Sequence, residues 1–213
     1  MTKIENSSLA SEQKKRRRRK DARPAEIIEA GLLEFAERGF AGARLSDVAA
    51  RAGIVKGTIY RYFDNKEALF QAAVKSRITS TLDNVEELVD GYPGPTDELL
   101  KLVLAIIYEK IVASDARVLL RIIIGEGARF PEIPSYYYRE SISKGAAVID
   151  RIVQRGIARG EFREGPMTTM PTIIIGPAIF AAVWKMTFDE VEPLDLDVCM
   201  AAHVDMALNG LLA

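Results

Sequence analysis

Apolar residues recur at helical spacing along almost the whole chain, and nowhere do apolar and polar positions alternate over a strand bounded by hairpin turns. Pro24 suits the first turn of a helix, where its missing N–H costs nothing. Ile27, Ile28, Leu32, Phe35 and Ala36 follow at helical spacing, with Gly39 placed as a C-terminal cap. A short helix is expected over 45–52, ending at Gly53, a second over 56–62, and a long one over 66–89. Asn65 or Asp64 is positioned to cap the long helix, and Asp64 with Glu67 has capping-box spacing. The run GYPGP at 91–95 is the clearest break. Beyond it, helices are expected at about 96–113, 116–129, 134–159, 167–187 and 194–211, parted by Pro131, Pro134, Gly160, Gly165, Pro166 and Pro193. Tyr136, Tyr137 and Tyr138 cannot all face inward on one helix. The predicted class is all-α, about nine helices: a three-helix head over 21–81, preceded by an arm at 1–20, and a larger helical bundle over 82–213.

Composition adds bounds. A hydrophobic fraction of 48% supports a real core. The single cysteine, Cys199, excludes an internal disulfide and fits a reducing cytoplasm. The first residues are charged where a secretion signal is apolar, so a cytoplasmic location is expected. The net charge of −1 conceals a polarity: residues 1–23 hold nine Lys/Arg against three Asp/Glu, whereas 76–213 hold thirteen against twenty. Seven consecutive cations, Lys14 to Lys20, make the arm basic and disordered, and point to a polyanionic partner at that end. The stretch from Gly165 to Trp184 has no charge and is long enough to cross a bilayer. It is interrupted by Pro166, Pro171, Gly176 and Pro177, so a buried helix of a non-membrane protein is expected; a basic, membrane-associated helical protein is the alternative.

The informative run is RLSDVAARAGIVKGTIYRYFDNKEALF, residues 44–70. Two short helices meeting at Ala52-Gly53 have helix-turn-helix form, over 44–63, whose tight turn favours glycine. Ile59, Tyr62 and Phe63 fall on one face of the second helix, toward Val48 and Ala49. Gly57, Tyr60 and Arg61 share the opposite face, with Lys56 and Thr58 near its leading end. Cations, hydroxyls and a glycine that permits close backbone approach are what entry into a major groove requires. AGIVKGTIYRYFDNKEALF is similar to the signature of the TetR family of regulators, and the likeness runs from about Arg23 to Phe70. The resemblance implies that Lys56, Thr58, Tyr60 and Arg61 face DNA, Tyr60 on a phosphate and Arg61 reading bases, and that Lys66 contacts phosphate at a helix start. It also implies a sequence-specific regulator, a repressor released from a palindromic operator by a small-molecule effector, acting as a homodimer. Two positions depart from the family pattern. Hydroxyl residues are usual where this chain has Ala43 and Val55, and neither can cap a helix or donate to phosphate. Arg44, Ser46 and Lys56 are expected to compensate, together with the basic arm lying on phosphates or in the minor groove.

The body is less explicit. FPEIPSYYYRESISKGAAVIDRIVQRGIARGEF, residues 130–162, resembles a stretch common in one broad branch of TetR regulators. The last helix carries two apolar stripes, Leu194/Val198/Ala201/Leu208 and Met200/Val204/Ala207/Leu211, and the helix before it is apolar round most of its circumference. Helices with two faces to bury need a partner, so the last two are expected to pair between subunits. Tyr108, Arg121, Phe180 and Trp184 combine apolar bulk with polar groups and are expected to line an effector pocket. His203 is expected to be structural or at the interface: Cys199, His203 and Asp205 do not share one helix face, so no metal and no cofactor is expected. Without a nucleophile elbow or phosphate-cradling glycine loop, and with only one histidine and one cysteine, the chain is not expected to be an enzyme.

Overall fold

The computed structural model describes the backbone of residues 3–212 and the side chains from Arg23 onward. The described residues are helical with no strand; an isolated antiparallel bridge joins Phe162 to Leu212. They form two compact units, Met1–Ala73 and Val74–Ala213. None of the described helices is long and apolar enough to cross a membrane.

The first unit contains α1 (Lys3–Gly42), α2 (Leu45–Arg51), α3 (Lys56–Ile59) and α4 (Lys66–Val74). Helix α1 reaches back to Lys3, so its backbone takes in the tract expected as a disordered arm; between 3 and 23 there is no proline or glycine to stop it. The DNA contacts expected of Lys14–Lys20 concern side chains outside the described residues. Gly39 adopts a left-handed φ of 69°, the turn that ends the regular part of α1 and sends Phe40 inward. Phe35, Phe40 and Phe70 form the aromatic centre, Phe35 and Phe40 tilted at 5.6 Å and Phe40 edge-on to Phe70 at 6.0 Å. Ile27, Leu32, Val48, Ala49, Ile59 and Leu69 close around them, all buried. Of the two expected caps for α4, the structure uses Asn65, whose Oδ1 accepts from Ala68 N at 2.7 Å.

In the second unit a π turn (Lys75–Thr79) leads into α5 (Ser80–Gly91). Next come α6 (Thr96–Ile107), continued by a π turn to Val112, then α7 (Arg117–Glu126) and α8 (Glu132–Tyr137). A third π turn (Tyr138–Ile142) joins α8 to α9 (Ser143–Ala158). The expected single helix over 167–187 is instead three pieces: α10 (Pro166–Thr169), a 3-10 turn (Pro171–Ile175) and α11 (Gly176–Thr187). Pro171 and Pro177 each remove a donor, and Met170, at φ −133° and ψ 69°, is out of the helical region. The last helix is α12 (Leu196–Leu211).

The core of this unit gathers Leu99, Leu100, Val103 and Leu104 of α6 against Val148, Ile149, Ile152 and Val153 of α9 and Ala207 and Leu211 of α12. A second cluster joins Tyr108 and Val112 to Ala178, Ala181 and Ala182. The two stripes of α12 therefore separate. Ala207 and Leu211 are core, whereas Val198 of the other stripe and nearby Met206 are exposed. Of the three consecutive tyrosines, Tyr137 is buried and Tyr138 exposed.

Candidate functional site

The turn between α2 and α3 is built on Gly53, whose φ of 63° a residue with a side chain rarely adopts. Gly53 N donates to Ala50 O and Ile54 N to Ala49 O, folding the chain back sharply enough to bring α3 across α2. Regular α-helix in the second motif element stops at Ile59, earlier than the expected 62. The coil is continued by the tighter i→i−3 bonds of Arg61 N to Thr58 O and Tyr62 N to Ile59 O, and by Phe63 N to Ile59 O. The facing holds. Ile59 and Phe63 are buried and Tyr62 half-buried, while Val55, Lys56, Gly57, Tyr60 and Arg61 are exposed and Thr58 is half-buried.

The cations of the head fall into two groups. Arg51 is held by Glu34 (3.2 Å) and by Glu37, and Arg38 by Glu34 (3.0 Å) and Asp47 (3.1 Å). Glu34 is almost wholly buried, so this network pins α2 to α1. The sequence reading missed it, although Glu34 and Arg38 stand at i, i+4 and Glu34 sits among inward apolar positions. By contrast, Arg44, Lys56 and Arg61 have no ion-pair partner among the described residues. Arg44 begins α2 and Val55 begins α3, and neither end has a side-chain cap. Ser46 is half-buried, its hydroxyl 3.4 Å from Asp47 Oδ1.

Lys66, expected on a phosphate, makes intramolecular contacts in the head. Its Nζ donates to Phe40 O (2.8 Å) and Ala41 O (3.2 Å) and lies 4.6 Å from the centre of the Phe40 ring. A cation set against the carbonyl end of α1 stabilises that end and ties α4 to it. The spacing of 26 residues between Phe40 and Lys66 left no signal of this contact in the sequence.

The second unit holds a cavity of about 350 Å³, within the range of small-molecule sites. It lies among α5, α6, α8, α9, the π turns and the stretch 172–182. None of the four residues expected to line a pocket lines this one. Tyr108 is buried in the adjacent cluster, its hydroxyl 3.5 Å from Cys199 Sγ; burial, then that contact, holds its ionisation well above the ordinary tyrosine value. Arg121 is exposed. Phe180 is exposed, and Trp184 stacks at 5.6 Å on Phe180 and at 5.2 Å on Phe188, with Nε1 donating to Glu192 O. Helix α11 is turned so that Ala178, Ile179 and Ala182 meet the cavity and the large rings point away from it. A helix apolar on nearly every side gives no hint of that rotation.

His203 is buried. Its Nε2 faces Ile174 O at 2.6 Å, so the ring donates there, and Nδ1 is left without a partner. Burial depresses its pKa, partly offset by the hydrogen bond to Ile174.

Comparison with known proteins agrees with these features. The family described as bacterial regulatory proteins, tetR family, matches residues 27–73, and the C-terminal domain of AefR-like transcriptional repressors matches 98–166. The fatty acid metabolism regulator protein of Bacillus subtilis is 30% identical over 141 residues, covering 66% of this chain and 71% of the relative. The transcriptional repressor KstR2 of Mycolicibacterium smegmatis is 27% identical over 144 residues, 67% of this chain and 68% of that one. Among solved structures, the regulator FadR of Bacillus subtilis in complex with stearoyl-CoA superposes with a TM-score of 0.71, covering 87% of this chain and 98% of that chain at 22% identity, which shows a shared fold. The sealed motif, the all-helical body and a relative matched over most of its length lead to one conclusion: the chain belongs to the TetR family of bacterial transcriptional regulators.

Proposed function

We propose that this chain is a sequence-specific DNA-binding repressor, acting as a homodimer on a palindromic operator and released by a small-molecule effector, with no catalytic step of its own. The observation that carries the reading is the division of the head's cations. Arg38 and Arg51 are held by the chain's own carboxylates, whereas Arg44 at the start of α2, and Lys56 and Arg61 on the same segment as Tyr60, are exposed with no ion-pair partner among the described residues, while Ile59 and Phe63 are buried. Exposed cations and a phenol on one edge of a recognition helix fit phosphates and base edges of a duplex. Gly57 allows close backbone approach, and Thr58 and Ser46 add hydroxyls. Lys66, tied to the end of α1, serves this face by positioning it.

One recognition helix reads only a few base pairs, so two heads are needed. The exposed rings of Phe180 on α11 and Phe188 just after it, bridged by half-buried Trp184, support pairing through the last two helices together with exposed Val198 and Met206 on α12. The cavity supports an effector site, and the Bacillus subtilis relative with stearoyl-CoA in its structure supports an apolar one. An effector that prefers a different spacing of the two heads lowers DNA affinity by its difference in binding free energy. DNA is met in the cytoplasm, where this function operates.

The test is fluorescence anisotropy on an operator selected from random duplexes. Arg61→Ala is expected to reduce the preference for operator over random DNA by about 1–3 kcal/mol, and Lys56→Ala to weaken both alike. Identical losses from the two variants on both duplexes overturn the assignment of roles.

A further inference from the structure

The cavity is unusual in its chemistry rather than its size. Its walls are aliphatic: Val85, Val103, Ile107, Val148, Ile149 and their neighbours. Not one charged side chain is among the lining residues. The cations that flank lining residues in sequence are each held by a carboxylate elsewhere: Arg77 by Asp115 at 3.1 Å, Lys110 by Glu109 at 2.5 Å and Lys144 by Glu140 at 2.7 Å. The polar residues of the lining are Thr81, Tyr137, Ser141 and Thr172. Thr81 turns its hydroxyl back to Arg77 O at 3.0 Å, and Thr172 lies at the exposed rim with Ile142 and Ile173. Tyr137 and Ser141 remain, one helical turn apart and both buried. Burial raises the Tyr137 pKa above the ordinary tyrosine value, so the phenol stays protonated.

A carboxylate placed among these walls would lose its hydration and find no cation, at a cost of several kcal/mol. An uncharged oxygen would meet two hydroxyls, each able both to donate and to accept a hydrogen bond. We propose that the cavity selects an uncharged, largely aliphatic molecule presenting one carbonyl or hydroxyl oxygen to Tyr137 and Ser141, and rejects the free carboxylate of the same chain length. This rests on the reading of the cavity as the effector site.

Isothermal titration of the 213-residue chain at neutral pH, with dodecanol, methyl dodecanoate and dodecanoate below their aggregation limits, tests the idea. The two neutral probes are expected to bind at least tenfold more tightly than the anion, and Tyr137→Phe combined with Ser141→Ala to remove most of that preference for dodecanol. Equal or tighter binding of dodecanoate overturns the proposal while leaving an effector cavity in place. The location has its own control in Gly145→Leu. Gly145 lines the cavity, and a Cβ there would meet its nearest neighbour, Leu82, at 3.8 Å, so a larger side chain enters the space without a backbone clash. Loss of binding of all probes in this variant is the expected result. Binding unchanged in it, or no binding of any probe to the parent protein, overturns both the proposal and the cavity reading.

Discussion

A lysine at the start of a helix can serve DNA or the fold, and the contacts of Lys66 give it a part in the fold. Its ammonium is half-buried on two carbonyls at the end of α1 and over the Phe40 ring. Hydrogen bonds from a charged group of this kind contribute about 1.5–3 kcal/mol. Lys66→Ala is therefore expected to lower the head's unfolding free energy by about 1–2 kcal/mol, measured by chemical denaturation, before any effect on DNA is considered. At the other end of the chain, His203 is neutral because it is buried, its depressed pKa lying below that of an exposed histidine. The unfolded chain takes up a proton as pH falls through the ordinary histidine value near 6.5, and the folded protein does not until lower pH. Stability should thus decline as pH drops below about 6.5, a decline that flattens in His203→Gln, where an amide N–H replaces the ring donor. Thermal melts between pH 8 and pH 5 read the difference. A slope equal in both proteins would show that other groups carry it.

At the scale of elements, the motif works with two uncapped helices. A missing N-cap costs about 1 kcal/mol, and neither α2 nor α3 has a side-chain cap at its start. The network that joins buried Glu34 to the more exposed Arg38, Asp47 and Arg51 supplies rigidity to α2 by another route. We propose that phosphate contacts on this side fall to Arg44 and to the basic tract Lys14–Lys20. Deleting residues 1–20 is expected to weaken operator binding at least tenfold and to flatten its dependence on salt, since each cation on a phosphate releases counterions. A salt slope unchanged by the deletion refutes that assignment. The proline-broken stretch 166–177 matters equally: it converts an uncharged run long enough for a bilayer into short pieces that wall a cavity.

For the whole molecule, basic residues concentrate toward the N-terminus and acidic ones in the body, as a protein that offers one end to a polyanion requires. The body's aromatic row, with Phe180 and Phe188 exposed, is the proposed place where two copies meet. Phe180 is 56% exposed, so Phe180→Asp should leave the protomer folded while placing a charge in that contact. Sedimentation velocity is expected to show monomers where the parent sediments as a dimer, with a matching loss of operator affinity. A dimer of undiminished stability would move the interface elsewhere.

The sequence by itself determined the all-helical class, the helix-turn-helix and its inward and outward faces, because these follow from spacing along one segment: Gly53 at the turn, Ile59 and Phe63 against Tyr60 and Arg61. Tertiary structure alone decided what depends on residues far apart or on the rotation of an apolar helix. It set Lys66 on Phe40, sealed Glu34 beneath two arginines, and turned α11 so that its small residues rather than Phe180 and Trp184 meet the cavity. Periodicity reports which face of a helix is apolar. It cannot report which of several apolar faces a neighbour will cover, since that is settled only when the elements pack.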